Sequence, residues 1–186
     1  MKKIILFFLL SIAILNISYA QEKTGFDKSK LFLGGNFGLG FGSYTTAINI
    51  SPQIGYHINS VFAAGVGVNY AYYNYKFYDN TNTLYARDIY SYAGVNVFGR
   101  VYPIQYIFFQ AQPELNYIWG KQKYYYPDAE NKIPNQFVPS LLLGGGAAIP
   151  AGRGAFTISI LYDVLQNNLS PYYRQPLYGF GFNIGF

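Results

Sequence analysis

The 186-residue chain has no cysteine, one methionine, one tryptophan and one histidine, and only 11% of it is charged. Without cysteine there is no disulfide scaffold and no thiolate metal site. The HExxH, P-loop and EF-hand patterns are also missing. A soluble domain carries about 25% charged residues, so this surface would be poorly solvated in water and is better suited to lipid. Long apolar runs are scarce as well. After Ala20 the best candidate, Leu141 to Ala151, contains Gly144, Gly145, Gly146 and Pro150, which disfavour a helix. A membrane form of this chain must therefore be a closed sheet, since only helices and closed barrels satisfy their backbone in hydrocarbon. Net charge is +5, and part of it, Lys2 and Lys3, sits in a leader. The rest is too small and too scattered to imply a nucleic-acid partner.

What the chain does have is aromatic side chains, 20% of all residues, set in alternating patterns. In the last segment Tyr178, Phe180, Phe182, Ile184 and Phe186 share one face of an extended strand. Gly179, Gly181, Asn183 and Gly185 fill the other. A bulky apolar face backed by glycine suits lipid outside and a crowded lumen inside. The same alternation recurs over residues 31–41, 47–58, 61–73, 89–102, 106–119 and 155–165, and 137–149 is a further strand although both its faces are apolar or glycine. Together these segments predict an all-β fold, an eight-stranded antiparallel up-and-down transmembrane β-barrel over residues 31–186. Pro52 lacks a ladder donor and should mark a bulge or a locally unpaired point. Short turns at 59–60, 103–105 and 150–154 alternate with longer polar linkers at 74–88, 120–136 and 166–175, and only the connection at 42–46 breaks the trend. Tyr70, Tyr72, Tyr117, Trp119 and Tyr162 gather toward the linkers, and Tyr56, Phe62, Phe156 and Phe186 toward the turns. Two such belts match aromatic girdles at lipid–water boundaries.

The first 20 residues have the layout of a cleaved secretory signal: Met1-Lys2-Lys3, an apolar run from Ile4 to Leu15, then small Ser18 and Ala20. Residues 21–30 are expected to be a loosely ordered tail.

These segments resemble the small outer-membrane β-barrel family of Gram-negative bacteria, the group of OmpX and the OmpA transmembrane domain, and especially the barrel-only proteins of Bacteroidetes. The likeness runs from Leu31 to Phe186, and Asn96-Val-Phe-Gly-Arg100-Val-Tyr-Pro103 is similar to the family's arginine-containing strand end. It implies an outer-membrane location with both termini in the periplasm. It also implies that Tyr178, Phe180, Phe182, Ile184 and Phe186 form a terminal-strand signal read by the barrel-assembly machinery. Expected surroundings are outer-membrane lipid and lipopolysaccharide.

Ionisable residues on the inward faces are few: Arg100, Glu114, Asp163 and His57. A charge in a narrow lumen needs a partner, so these four are expected to form an interior structural polar network. From the turn at 103–105, Arg100 and Glu114 fall too far apart to touch, which leaves water, glutamines or barrel shear to join them. His57 lies at the turn end, the wrong end for attack on outer-leaflet lipid, so no catalytic residue and no cofactor is assigned. The alternatives are a narrow channel, or a lipid-modifying enzyme using loop-side residues such as Asp163 or Ser140. A soluble barrel would need the opposite facing. Tyrosine offers large contact area at low entropic cost, and Tyr124, Tyr125 and Tyr126 with Lys121 and Lys123 form a candidate surface for an extracellular partner or lipid phosphates. The function so expected is structural or adhesive.

Overall fold

A computed structural model describes residues 27–42 and 44–185. The leader, the tail up to residue 26 and Phe186 lie outside the described residues. A 3-10 turn, Lys28–Lys30, is capped by Asp27, whose carboxylate accepts from Ser29 N at 3.0 Å and Ser29 Oγ at 2.7 Å. Those bonds hold the Asp27 carboxyl below its ordinary range.

The chain then runs through β1 (Leu31–Phe41), β2 (Thr45–His57), β3 (Phe62–Tyr78), β4 (Leu84–Ile104), β5 (Ile107–Tyr125), β6 (Asp128–Ala151), β7 (Gly154–Asp163) and β8 (Pro176–Gly185). Each strand pairs antiparallel with the next, and β8 returns to β1, closing the ring. The closure matters because a barrel has no bare edge.

The faces follow the alternation. Tyr178, Phe180 and Ile184 point outward at 50–62% exposure, as do Val95, Val97, Phe109 and Ile160 around the wall. Asn69, Asn96, Gln110, Gln112, Glu114 and Asn116 are buried in the lumen. Glycine allows walls and lumen to pack closely. A Cβ on Gly55 would stand 2.2 Å from the Phe32 ring, and one on Gly94 would stand 2.1 Å from Asn116 Oδ1.

Two prolines cut the ladders where the missing N–H requires it. Pro52 stays opposite Gly35 of β1, but on its other side the β2–β3 ladder breaks between Ile50 and Gln53. Gly35 adopts φ +152°, where a side chain would run into the Ser51 carbonyl at 2.5 Å. Pro113 leaves a similar gap between β4 and β5, from Asn96–Glu114 to Gly99–Ala111.

The connections correct one expectation. Residues 74–88 and 120–136 are not long linkers. β3 continues to Tyr78 and β4 begins at Leu84, while β5 and β6 are joined only by Tyr126 and Pro127. The runs are polar yet still alternate, so they pair as strands. β3 to β6 have 17, 21, 19 and 24 residues, against 11, 13, 10 and 10 for β1, β2, β7 and β8. One half of the wall is therefore a tall sheet. The opposite end has tight turns, one shaped by Asn59, whose Oδ1 accepts from Val61 N and Phe62 N, and one by Gly152 at φ +62°.

Candidate functional site

The lumen is filled in three layers. At the turn end Phe32, Ala63, Phe98, Tyr102 and Phe108 form an aromatic floor. Arg100 lies on it, 4.8 Å from the ring centres of both Phe98 and Phe108 and 5.9 Å from that of Phe32. Such cation–π contacts contribute roughly 0.5–2 kcal/mol each when desolvated. Its Nη1 is one of the buried atoms without an acceptor, so rings rather than a carboxylate take up this side of the cation.

Above the floor runs a chain of amides, because β5 turns every second residue from Gln110 to Asn116 inward. Arg100 Nε donates to Gln110 Oε1 at 2.7 Å, and Arg100 Nη2 donates to Gln53 Oε1 at 3.2 Å. Gln110 and Gln53 both donate to Gln112, and Gln112 donates to Glu114 Oε1 at 2.6 Å. The other carboxylate oxygen accepts from Asn116 Nδ2 at 3.1 Å. Asn69 then donates to Asn116, and Asn96 to Asn69. The bonds that Arg100 donates and Glu114 accepts are charge-assisted, roughly twice as strong as neutral ones.

The top layer is a loop that enters the barrel. Residues 164–175 fold back over the mouth, burying Ser170 and Tyr172. Ser170 Oγ donates to Asp163 Oδ2 at 2.6 Å and lies 3.0 Å from Ser140 Oγ. Asp163 Oδ1 accepts from the backbone of Leu141 and Leu165, both at 3.1 Å. The Tyr172 ring meets Tyr92 edge-on at 6.1 Å and packs with Leu142 and Leu161. Its hydroxyl interacts with the Glu114 carboxyl, which sets the loop against the end of the amide chain.

The four interior ionisable residues are thus not one network. Arg100 and Glu114 share the amide chain, Asp163 holds the loop, and His57 stands apart with its ring 4.9 Å from Phe32 and 5.9 Å from Tyr102. Ser140, Ser170 and Asp163 do meet, but His57, the chain's only histidine, is at the opposite end of the barrel. Among the described residues no group of histidine and carboxylates is placed to hold a metal ion. Ser170 and Tyr172 were missed by sequence reasoning, since nothing in their local pattern says that a loop turns inward.

On the outside, Tyr70, Tyr117 and Phe137 occupy one cross-strand row with Ala93, and Trp119 and Tyr72 share the next row with Ser91. Their rings touch, with Tyr117 5.9 Å from Trp119 and 5.0 Å from Phe137. Beyond this belt the tall sheet shows two different faces. Tyr73, Tyr75 and Phe77 of β3 face over the mouth with Asp88, Gln122 and Tyr124. Lys121 and Lys123 face outward, and the tip residue Tyr126 is 74% exposed. Tyr124, Tyr125 and Tyr126 are therefore split between the inner face, the outer face and the tip.

No family model matches the chain, and no curated protein matches it. Among the solved structures similar in fold are two of Ail, the attachment invasion locus protein of Yersinia pestis. One is 13% identical, covers 83% of this chain and 93% of that chain, and has a TM-score of 0.43. The other, Ail in complex with the heparin analogue sucrose octasulfate, is 11% identical with the same coverage and a TM-score of 0.44.

Proposed function

We propose that this chain is an integral outer-membrane β-barrel whose tall β3–β6 sheet presents a surface for partner binding or adhesion outside the cell, without catalysis. The observation that carries the reading is the exposed apolar wall bounded by aromatic rows. From Phe62 to Tyr70 β3 runs nine residues, within the ~9–11 that a tilted strand needs to cross hydrocarbon. Tight turns at one end and a tall sheet at the other support a periplasmic turn end carrying both termini. The filled lumen argues for a wall and a platform rather than a wide channel, since eight strands leave room for little beyond their own side chains. In this reading β8 supplies the assembly signal, and the tyrosine-rich upper sheet meets an extracellular partner.

Fractionation of cells producing the full chain tests the location: recovery in the outer-membrane fraction is expected, and recovery in a detergent-free soluble fraction overturns it. Replacing Tyr124, Tyr125 and Tyr126 by serine tests the surface. Loss of captured surface partners is expected, and an unchanged set discards the tyrosine platform.

A further inference from the structure

The outer face of the tall sheet carries an unbalanced grid of cations. Register puts Ile89, Lys121 and Lys132 in one row, with Lys76, Arg87, Lys123 and Glu130 in the next. Arg87 thus has Lys76 directly across on one side and Lys123 on the other, and Lys121 stands opposite Lys132. Like charges directly opposite on one face are destabilising. Relief from within is partial. Lys121 Nζ pairs with Glu130 at 3.0 Å, and Arg87 Nε donates to Asn74 Oδ1 at 2.8 Å. The Glu130 carboxyl is held below its ordinary range, first by the Lys121 hydrogen bond and further by the charges of Lys121, Lys123 and Lys132. Asp128, opposite Tyr125 at the tip, is the remaining carboxylate on this face.

The inner face of the same strands has no cation in the corresponding rows. There Tyr75 stands opposite Asp88, Asp88 opposite Gln122, and Gln122 opposite Asn131. A sheet that merely needed solubility would place lysine on both faces. Height is the second constraint. Lys121 lies two positions beyond Trp119 on the same face, ~7 Å along the strand. Aromatic belts mark the headgroup level, so the first cation row sits where lipid phosphates begin.

We propose that Lys76, Arg87, Lys121, Lys123 and Lys132 form a binding site for the phosphate groups of an outer-leaflet glycolipid, the phosphorylated sugar headgroup of lipopolysaccharide. A dianionic phosphate between opposed cations turns their repulsion into charge-assisted hydrogen bonds, and Arg87 can hold two oxygens of one phosphate. The site anchors the tall sheet laterally against the leaflet, leaving its inner face free. It deepens the outer-membrane reading and rests on it.

The test uses the full chain in phosphatidylcholine nanodiscs doped with phosphorylated lipid A, dephosphorylated lipid A or phosphatidylglycerol, with retained lipid measured after isolation. Selective retention of phosphorylated lipid A is expected, falling about five-fold for each lysine neutralised in K121Q, K123Q and K132Q. K28Q/K30Q, changed at the turn end, should retain wild-type binding. Equal retention of both lipid A forms, or undiminished binding by the K121Q/K123Q/K132Q variant, overturns the site. Equal retention of phosphatidylglycerol at matched charge overturns its preference for the glycolipid. Circular dichroism verifies the fold, and K132Q alone carries the test if the triple variant does not fold. Because the disc supplies the bilayer, a negative result here leaves the cellular location standing, and a wrong location leaves the disc result standing.

Discussion

Arg100 and Glu114 do not touch; Gln110 and Gln112 stand between them and pass one hydrogen-bonded chain from cation to carboxylate. Removing either end strands donors or acceptors in a lumen with little room to rearrange. Arg100→Met and Glu114→Gln should each cost about 1–3 kcal/mol. The double variant should cost less than the sum, by about 0.5–3 kcal/mol. Urea unfolding in lipid vesicles measures both. Strict additivity would show that the glutamines transmit nothing.

The wall should respond to charge by depth. Val97 lies midway up the outer face of β4, and Val101 lies near the turn end. Val97→Arg should destabilise by about 2–4 kcal/mol and Val101→Arg by about 0–1 kcal/mol, the depth profile of lipid-facing positions. Equal small costs at both positions would mean that water, not hydrocarbon, covers the wall.

The loop over the mouth is held by Ser170 on Asp163 and by Tyr172 on Tyr92. Ser170→Ala and Tyr172→Ala should loosen it while leaving the ring of strands intact. Arg174, exposed in that loop, gives the readout. Trypsin should cut after it several-fold faster in either variant, at unchanged circular dichroism, because cleavage follows the population of the open form.

The tip between β3 and β4 carries a pH response of known sign. Asp79 accepts from Thr81 Oγ1 at 2.7 Å, Thr83 N at 2.9 Å and Thr81 N at 2.8 Å. These bonds, the Thr81 hydroxyl first, hold its carboxyl below the ordinary value. A depressed pKa means that the turn's stabilisation is complete above the ordinary carboxylate range and is lost as pH falls through the lowered value. Amide signals of Thr81 and Thr83 should be flat from pH 7 to about 5 and titrate below about 4. In Asp79→Asn that titration should vanish.

Facing was legible in the sequence because it depends on parity alone. Leu33, Phe37 and Leu39 fall outside, and Gln110, Gln112, Glu114 and Asn116 fall inside, wherever the neighbouring strands sit. Strand length was not, because the cue used for a loop was polarity. The stretch from Asn74 to Tyr78 is polar and aromatic yet keeps a period of two, and Tyr126-Pro127 marks a hairpin tip. Reading period ahead of polarity would have found the tall sheet. The inward loop was not legible at all. Ser170 and Tyr172 are placed by partners on β4, β5, β6 and β7, and such distant contacts leave no local pattern. The Arg100–Glu114 relay was half legible: their separation follows from one turn, but the order of amides between them follows from packing.

The seam between β1 and β8 joins the two strands farthest apart in the chain, and Phe32–Gly185, Leu33–Ile184 and Asn36–Gly181 are aligned across it. Until those strands meet, any partial assembly in hydrocarbon leaves two rows of peptide groups bare, each unpaired group costing several kcal/mol. In the outer-membrane reading proposed above, insertion is therefore complete only when this seam closes, and an open strand edge needs cover until then.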